Sequence, residues 1–331
     1  MPAGGGDGAV AHPHSRTEDN RPAWAMKRGT MRIAGGLVLE AMCEECHSGH
    51  AYHARMTSLA LLLAAALALA EATPPVRDFV LRYDAPTHAS SVPIHARVVE
   101  LDLLARVPEL QVVDRLLVLP APITVRAADC AGDATMYLPK TREIEVCYAL
   151  LGVLWARGER LAHDAGDTQA DAFAQRYVWA NLRFILTHEV GHALIEELDL
   201  PVTGRIEDAV DQFASLLMQQ VVVAGETEDD VAWNLRMAAV DLLTGSRGHY
   251  PLEAYADVHA LGEQRYFNLQ CLLYGTDPQR FAGLVAGGDL PADRAQTCPG
   301  ETRRAADAWW RLLQPWMDPA AAPALARPSK R

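Results

Sequence analysis

Clusters of basic residues and apolar runs long enough to cross a membrane are both missing from this chain of 331 residues. It has 30 lysine and arginine residues against 42 aspartate and glutamate residues, which gives a formal net charge of -12. Nucleic acids and anionic membrane surfaces attract concentrated positive charge, so the composition argues against both as partners. Half of the residues are hydrophobic and 22% are charged, which is ordinary for a globular protein with a sizeable core.

The apolar run that is present, Leu59–Ala70, is shorter than the roughly 20 residues that a transmembrane helix needs. It ends in Ala70-Glu71-Ala72, a sequence similar to a signal-peptide cleavage site, and Arg55 precedes it. This pattern predicts a periplasmic or secreted protein with no stable membrane span after signal cleavage. The expected organisation is residues 1–55, disordered or upstream of the true start; 56–72, the signal peptide; 73–317, one catalytic domain; and 318–331, a disordered tail.

Four of the six cysteines follow the proposed cleavage point. An even number of cysteines in an exported protein favours disulfides. Four cysteines allow three connectivities. We expect Cys130 to pair with Cys147 across a predicted hairpin, and Cys271 to pair with Cys298, joining a helix to the loop that follows. Four buried thiols are the alternative.

The other two cysteines belong to Cys43-Glu44-Glu45-Cys46-His47, the C-x-x-C-H pattern of haem attachment. Haem is attached after export, whereas this segment lies upstream of the predicted signal peptide. A zinc site completed by His47 or His50 is the other interpretation. We expect neither function in the mature protein.

The segment His188-Glu189-Val190-Gly191-His192 has the pattern H-E-x-x-H. Residues four apart lie on one face of a helix, so both imidazoles can bind one metal ion. Glu189 can then act as general base on a water molecule that the ion has acidified. The surrounding residues Tyr177–Leu198 are apolar on nearly every side, and burying these polar groups without partners would be costly. The pattern therefore predicts a buried helix, a Zn²⁺ ion and metal-assisted hydrolysis, with peptide bonds as the expected substrate.

Catalytic zinc usually takes three protein ligands, so the chain must supply one more. The extended pattern with a third histidine is ruled out, because Ile195 and Leu198 occupy the positions where it needs glycine and histidine. Pro201 and Gly204 break the helix, and a second helix is expected from about Arg205. The third ligand is therefore sought on this second helix.

Glu207 and Asp211 lie four apart near the start of the second helix and match E-x-x-x-D, a pattern of zincins whose third ligand is a glutamate. On that likeness Glu207 binds zinc, and Asp211 accepts a hydrogen bond from a ligand histidine and so fixes its ring. Asp208 is the rival ligand. An acidic first turn that only complements the helix dipole is the alternative without a metal. Gly191 lets the second helix approach the first closely.

With this arrangement the chain resembles a bacterial metallopeptidase family known as domain of unknown function 4344. The likeness runs from Asp78 to Trp316 and includes Cys147-Tyr148, Gln264–Asn268 and Cys271–Gly275. The resemblance implies a zinc hydrolase fold with His188, His192 and Glu207 as metal ligands. The spacer of fourteen residues between His192 and Glu207 is shorter than in the better-known zincins with a glutamate ligand.

The expected fold is α+β and zincin-like, with a small mixed sheet followed by a mainly helical region around the H-E-x-x-H helix. The predicted elements are a strand at Phe79–Tyr83, a helix at Ala96–Leu116, strands at Ile123–Ala127, Thr135–Leu138 and Ile144–Cys147, and helices beyond. An edge strand can align an extended peptide beside the metal. Either Ile123–Ala127 or Thr135–Leu138 could be that edge.

Many hydrolases add a side-chain donor that stabilises the oxyanion of the transition state. His259, Arg265 and Tyr266 are the candidates, on one predicted helix and its entry. We single out His259 as the catalytic helper. An ordinary surface pair of His259 with Glu263 is the alternative.

Together these patterns predict an exported zinc metallopeptidase that acts on a peptide or protein substrate. A zinc-stabilised binding module without activity is one alternative, although a structural zinc site has no need of Glu189. A zinc hydrolase of a non-peptide amide or ester is the other.

Overall fold

The computed structural model of the protein describes residues 78–132, 134–222, 225–244 and 248–319. The predicted signal peptide, the residues before it, the Cys43–His47 pattern and residues 320–331 of the tail lie outside these ranges. Within them, no helix is both long and apolar enough to cross a membrane.

A four-stranded mixed sheet forms from the first part of the described chain. Its strands are β1 (Phe79–Tyr83), β2 (Ile123–Ala128), β3 (Met136–Leu138) and β4 (Glu143–Cys147). Their order in the sheet is β1-β2-β4-β3, with the first three parallel and β3 antiparallel to β4. In β2, Ile123, Val125 and Ala127 are fully buried, as the period of two in a strand requires. β3 is therefore an edge strand and β2 is a central strand. Of the two candidate edge segments, Thr135–Leu138 is the one that lies at an edge of the sheet.

Helices make up most of the remainder, so the predicted α+β class is confirmed at this level. They are α1 (Val92–Glu100), α2 (Pro108–Leu116), α3 (Tyr148–Asp164), α4 (Ala170–Glu197), α5 (Ile206–Gln220), α6 (Glu228–Thr244), α7 (Gly262–Thr276), α8 (Ala282–Ala286), α9 (Ala292–Ala295) and α10 (Cys298–Leu313). Short 3₁₀ turns occur at Ala89–Ser91, Leu252–Ala256 and Gln314–Trp316.

The single helix predicted at Ala96–Leu116 is wrong, because two helices occupy this region. α1 ends at Glu100, and Asp102 has a left-handed backbone with φ of 45°. α2 begins at Pro108. Proline lacks a backbone N–H and clashes with the preceding turn inside a helix, but it suits the first helical position. The proline therefore marks a helix start within the apolar pattern.

The H-E-x-x-H segment lies on α4, a helix of 28 residues and therefore about 42 Å long. α4 contacts α3, α5, α6 and strand β3. Its buried side chains fall on several faces and include Leu182, Phe184 and Leu186. Such all-round burial identifies α4 as the centre of the core.

The two expected cysteine pairs lie at disulfide distance. The sulfur atoms of Cys130 and Cys147 are 1.95 Å apart, and those of Cys271 and Cys298 are 2.05 Å apart. The first pair joins the segment after β2 to the end of β4. The second joins α7 to the first residue of α10, so it links two helices rather than a helix and a loop.

Gly191 lies where α5 packs against α4. A β-carbon at this position would lie 2.9 Å from Cγ1 of Val210 and 3.2 Å from Cδ1 of Phe213. Both of these α5 residues are buried. Glycine therefore permits the close packing that brings the start of α5 beside the H-E-x-x-H segment.

Substitution of this glycine tests the packing directly. Alanine in a helix interior is favoured over glycine by about 1 kcal/mol, and at Gly152 of α3 the added β-carbon would meet Ile94 at an ordinary 3.5 Å. Gly152→Ala should therefore raise the free energy of unfolding by up to about 1 kcal/mol. Gly191→Ala should lower it by roughly 1–3 kcal/mol, because buried neighbours must move. Urea denaturation measures both, and an equal gain in the two variants would contradict the close packing.

Candidate metal centre

The two histidines of the pattern and Glu207 meet at one point. Nε2 of His188 lies 3.2 Å from Nε2 of His192 and 3.2 Å from Oε2 of Glu207. Nε2 of His192 lies 3.3 Å from the same carboxylate oxygen. The three atoms thus form a nearly equilateral triangle, and all three residues are buried or partly buried. Asp208, the rival ligand, is not part of this group.

This triangle has the dimensions of a metal site. Two ligand atoms that each lie about 2.0–2.1 Å from a tetrahedral ion are about 3.3 Å apart. Oε2 of Glu207 is buried, and no hydrogen bond of acceptable geometry reaches it although ring nitrogens surround it. A buried acceptor without a partner is costly, and a shared cation removes that cost. The three residues therefore fit a metal ion.

The charges of the group agree with this fit. Burial opposes ionisation of Glu207, but the surrounding imidazoles lower its pKa well below the usual range. Burial also lowers the pKa of His188, yet the hydrogen bond to Asp211 and the nearby carboxylate of Glu207 outweigh it and raise the pKa to about 9. Without a metal the group attracts protons, so metal binding should release them.

Asp211 lies on the side of His188 opposite Glu207. Nδ1 of His188 is 2.8 Å from Oδ1 of Asp211, a contact that fixes the ring and directs Nε2 at Glu207. Arg265 donates to both oxygens of the same carboxylate, each at 2.7 Å. Burial raises the pKa of Asp211, but the hydrogen bonds from His188 and Arg265 lower it on balance. Asp211 is therefore held as a carboxylate.

Glu189 is 7% exposed and accepts a hydrogen bond on Oε2 from the backbone N–H of Tyr137, at 2.7 Å. Burial raises its pKa above the usual value, and the neighbouring histidines and this N–H oppose the rise. A carboxylate with a raised pKa beside a metal group suits a general base.

His259 lies in the segment that leads into α7, with Nε2 3.0 Å from Oε2 of Glu207. Its side chain is 44% exposed, and Asp257 accepts from its backbone N–H at 2.8 Å and lies 3.3 Å from its Nδ1. The ring nitrogens of His259 thus lie against Glu207 and Asp257 rather than Glu263, and Glu263 accepts from Tyr250. His259 is therefore near the metal group, as one of three ring nitrogens around Glu207.

The other two candidate donors have different partners. Arg265 binds Asp211, and the buried hydroxyl of Tyr266 lies 3.1 Å from Oδ1 of Asp289. The structure thus brings His188, Glu189, His192, Glu207, Asp211 and His259 together.

One protein-family model matches residues 83–313, more than half of the chain. The family is domain of unknown function 4344, and its description reads "putative metallopeptidase". The chain belongs to this family. The match confirms the resemblance drawn from the residues, and a metallopeptidase family implies a metal ion. No curated protein and no solved structure matches the chain.

Three contacts in this member of the metallopeptidase family are not predicted by the sequence. Arg265, a candidate donor to the transition state, instead donates to both carboxylate oxygens of Asp211. Asp257 orients His259, for which the spacing Asp-x-His was the only signal in the sequence. Tyr137 bonds Glu189 through its backbone, and no side-chain pattern encodes such a contact.

Loss of the Asp211 carboxylate should weaken metal binding. Partners that orient a ligand histidine typically contribute about 10–100-fold in metal affinity, so Asp211→Asn should raise the dissociation constant for zinc by roughly that factor. Asp289→Asn is the matched control, since Asp289 is also buried and binds Arg236 at 2.8 Å but lies outside the metal group. Competition with a chelator measures both. Equal affinity of Asp211→Asn and wild type would remove the orienting role.

Proposed function

We propose that the protein is an exported, zinc-dependent metallopeptidase with a zincin-like fold, in which His188, His192 and Glu207 hold the metal. The observation that supports this most strongly is the triangle of their ligand atoms, with sides of 3.2 to 3.3 Å, next to the buried carboxylate of Glu189. Two imidazoles and one carboxylate are a ligand set of catalytic zinc. Membership of a metallopeptidase family supports the same activity.

When bound, the zinc would polarise the scissile carbonyl and lower the pKa of a water molecule. Glu189 would accept the proton of that water and later donate it to the leaving amine. Burial favours the second step, since it raises the pKa of Glu189 and so makes its protonated form accessible. A purely structural metal site has no use for such a group.

His259 would donate its Nε2–H to the carbonyl oxygen as negative charge develops there. The neighbouring carboxylate of Glu207 raises the pKa of His259, and Asp257 at Nδ1 adds to this effect, which favours the imidazolium with a proton on both ring nitrogens. The contact with Asp257 also turns Nε2 toward Glu207. The side chain is partly exposed, so a substrate can reach it.

Strand β3 would align the substrate. In an antiparallel pair the N–H and C=O of one residue point to the same side. The N–H of Tyr137 points at Glu189, so its carbonyl also faces away from β4. An extended peptide can donate a backbone N–H to that carbonyl and add a strand at this edge.

Export is supported by the cysteine pairs at disulfide distance, because disulfides persist in oxidising compartments. The predicted signal peptide, residues 56–72, would direct the chain to secretion.

Replacement of the general base separates metal binding from chemistry. Glu189→Gln keeps the size of the side chain but cannot accept the proton, so peptide hydrolysis should fall by at least about 100-fold while the zinc content stays at the wild-type level. Glu196→Gln, at an exposed position of the same helix, is the matched control and should keep full activity. Peptide cleavage and metal analysis are measured on the same samples. A Glu189→Gln protein that cleaves at the wild-type rate would exclude Glu189 as the base.

A further inference from the structure

Tyr137 joins strand β3 to α4 at two points. Its backbone N–H donates to Oε2 of Glu189 at 2.7 Å, and its hydroxyl donates to Oε1 of Glu197. Glu189 and Glu197 are eight residues apart on α4, which corresponds to about 12 Å along the helix axis. One residue of the strand therefore contacts two carboxylates more than two turns apart.

A second contact holds the side chain of Glu197 in place. Its second carboxylate oxygen accepts a hydrogen bond from Arg142, in the turn between β3 and β4. The phenol of Tyr137 in β3 and the guanidinium of Arg142 in the following turn thus both bind one carboxylate. Charge-assisted hydrogen bonds of this kind are roughly twice as strong as neutral ones, so Glu197 is an anchor for the whole β3 turn.

The strand depends on this anchor for its position. β3 has only three residues and pairs with β4 along one side. It also contacts α4, and the Tyr137 side chain is 8% exposed. A strand this short has few ladder hydrogen bonds of its own, so the contact with Glu197 sets where the Tyr137 backbone lies relative to the H-E-x-x-H segment.

The position of that backbone determines how Glu189 is presented. One carboxylate oxygen is occupied by the Tyr137 N–H, which stops the group from rotating and leaves the other oxygen available. A general base must lie within hydrogen-bond reach of the proton that it removes, and a displacement of about 1 Å can reduce a rate about 100-fold.

We propose that Tyr137 is a positioning residue for Glu189: its hydroxyl ties β3 to Glu197, and its backbone N–H then fixes the carboxylate of the base. The inference rests on the proposed function for the role of Glu189, but the contacts that it concerns can be measured without activity.

Tyr137→Phe removes the hydroxyl and keeps the ring. The turnover number for peptide cleavage should fall at least about 10-fold, as expected for a misplaced base, whereas the zinc dissociation constant should stay within about twofold of wild type, because no ligand contact is lost. Tyr148→Phe is the matched control, since Tyr148 is also buried and its hydroxyl donates to the carbonyl of Asp84 at 2.7 Å. The control should keep the wild-type turnover. Wild-type turnover in Tyr137→Phe would overturn the proposal.

Amide exchange reports the same contact without catalysis. In the wild type, the N–H of residue 137 should exchange slowly with deuterium, because it is donated to a buried carboxylate. Exchange read by NMR should become faster in Tyr137→Phe and in Glu189→Ala, and should stay slow in Glu189→Gln, whose amide oxygen can still accept. Unchanged exchange in both Tyr137→Phe and Glu189→Ala would overturn the proposal even if the wild type cleaves no peptide. A wild type that binds zinc but cleaves nothing, with the exchange pattern as expected, would refute the proposed function and leave the Tyr137 contact supported.

A double-mutant cycle distinguishes positioning from general weakening. Glu197→Ala removes the anchor from the other side and should reduce turnover by a similar factor, and it serves as the test variant should Tyr137→Phe not fold. If both residues act through one contact, the double variant should be no slower than the slower single variant. Multiplicative losses would show independent effects and contradict the mechanism.

Discussion

A buried carboxylate oxygen surrounded by ring nitrogens is the constraint around which this protein is organised. Oε2 of Glu207 lies within 3.3 Å of His188, His192 and His259 and has no hydrogen bond of acceptable geometry. Such a group is stable in a protein interior only if a cation or a proton compensates it. The packing of α5 on α4 at Gly191 creates this cluster, and Asp211 and Arg265 keep the ring of His188 turned toward it.

Different elements of the fold supply the residues of the cluster and the contacts that position them. α4 carries the two histidines and Glu189, α5 supplies Glu207 and Asp211, and the segment before α7 supplies His259. Strand β3 completes the arrangement from the sheet side through the backbone of Tyr137. Each contact either directs a side chain at the cluster or prevents one from turning away, which is the pre-organisation that hydrolytic catalysis needs.

The residues of this site that depend on helical periodicity could be predicted from the sequence. His188 and His192 share a face because they are four apart. α4 ends at Glu197, and Glu207 follows after one short loop that contains Pro201 and Gly204. Tyr137 had no signal, because its contact with Glu189 uses a backbone N–H that every residue except proline possesses. The partner of Arg265 is 54 residues away in the chain, so no local pattern could reveal it. Pro108 indicates the break between α1 and α2. The apolar periodicity on both sides of the proline, however, favours one continuous helix.

If His188, His192 and Glu207 bind one zinc ion as proposed, metal analysis of purified protein will detect it. Zinc per chain is measured on purified wild type, on Glu207→Ala and on Asp208→Ala, whose carboxylate lies outside the metal group. We expect one zinc per chain in the wild type and in Asp208→Ala, and a large loss of zinc in Glu207→Ala. A wild type without stoichiometric zinc, or a Glu207→Ala protein that retains it fully, would contradict the proposed zinc site.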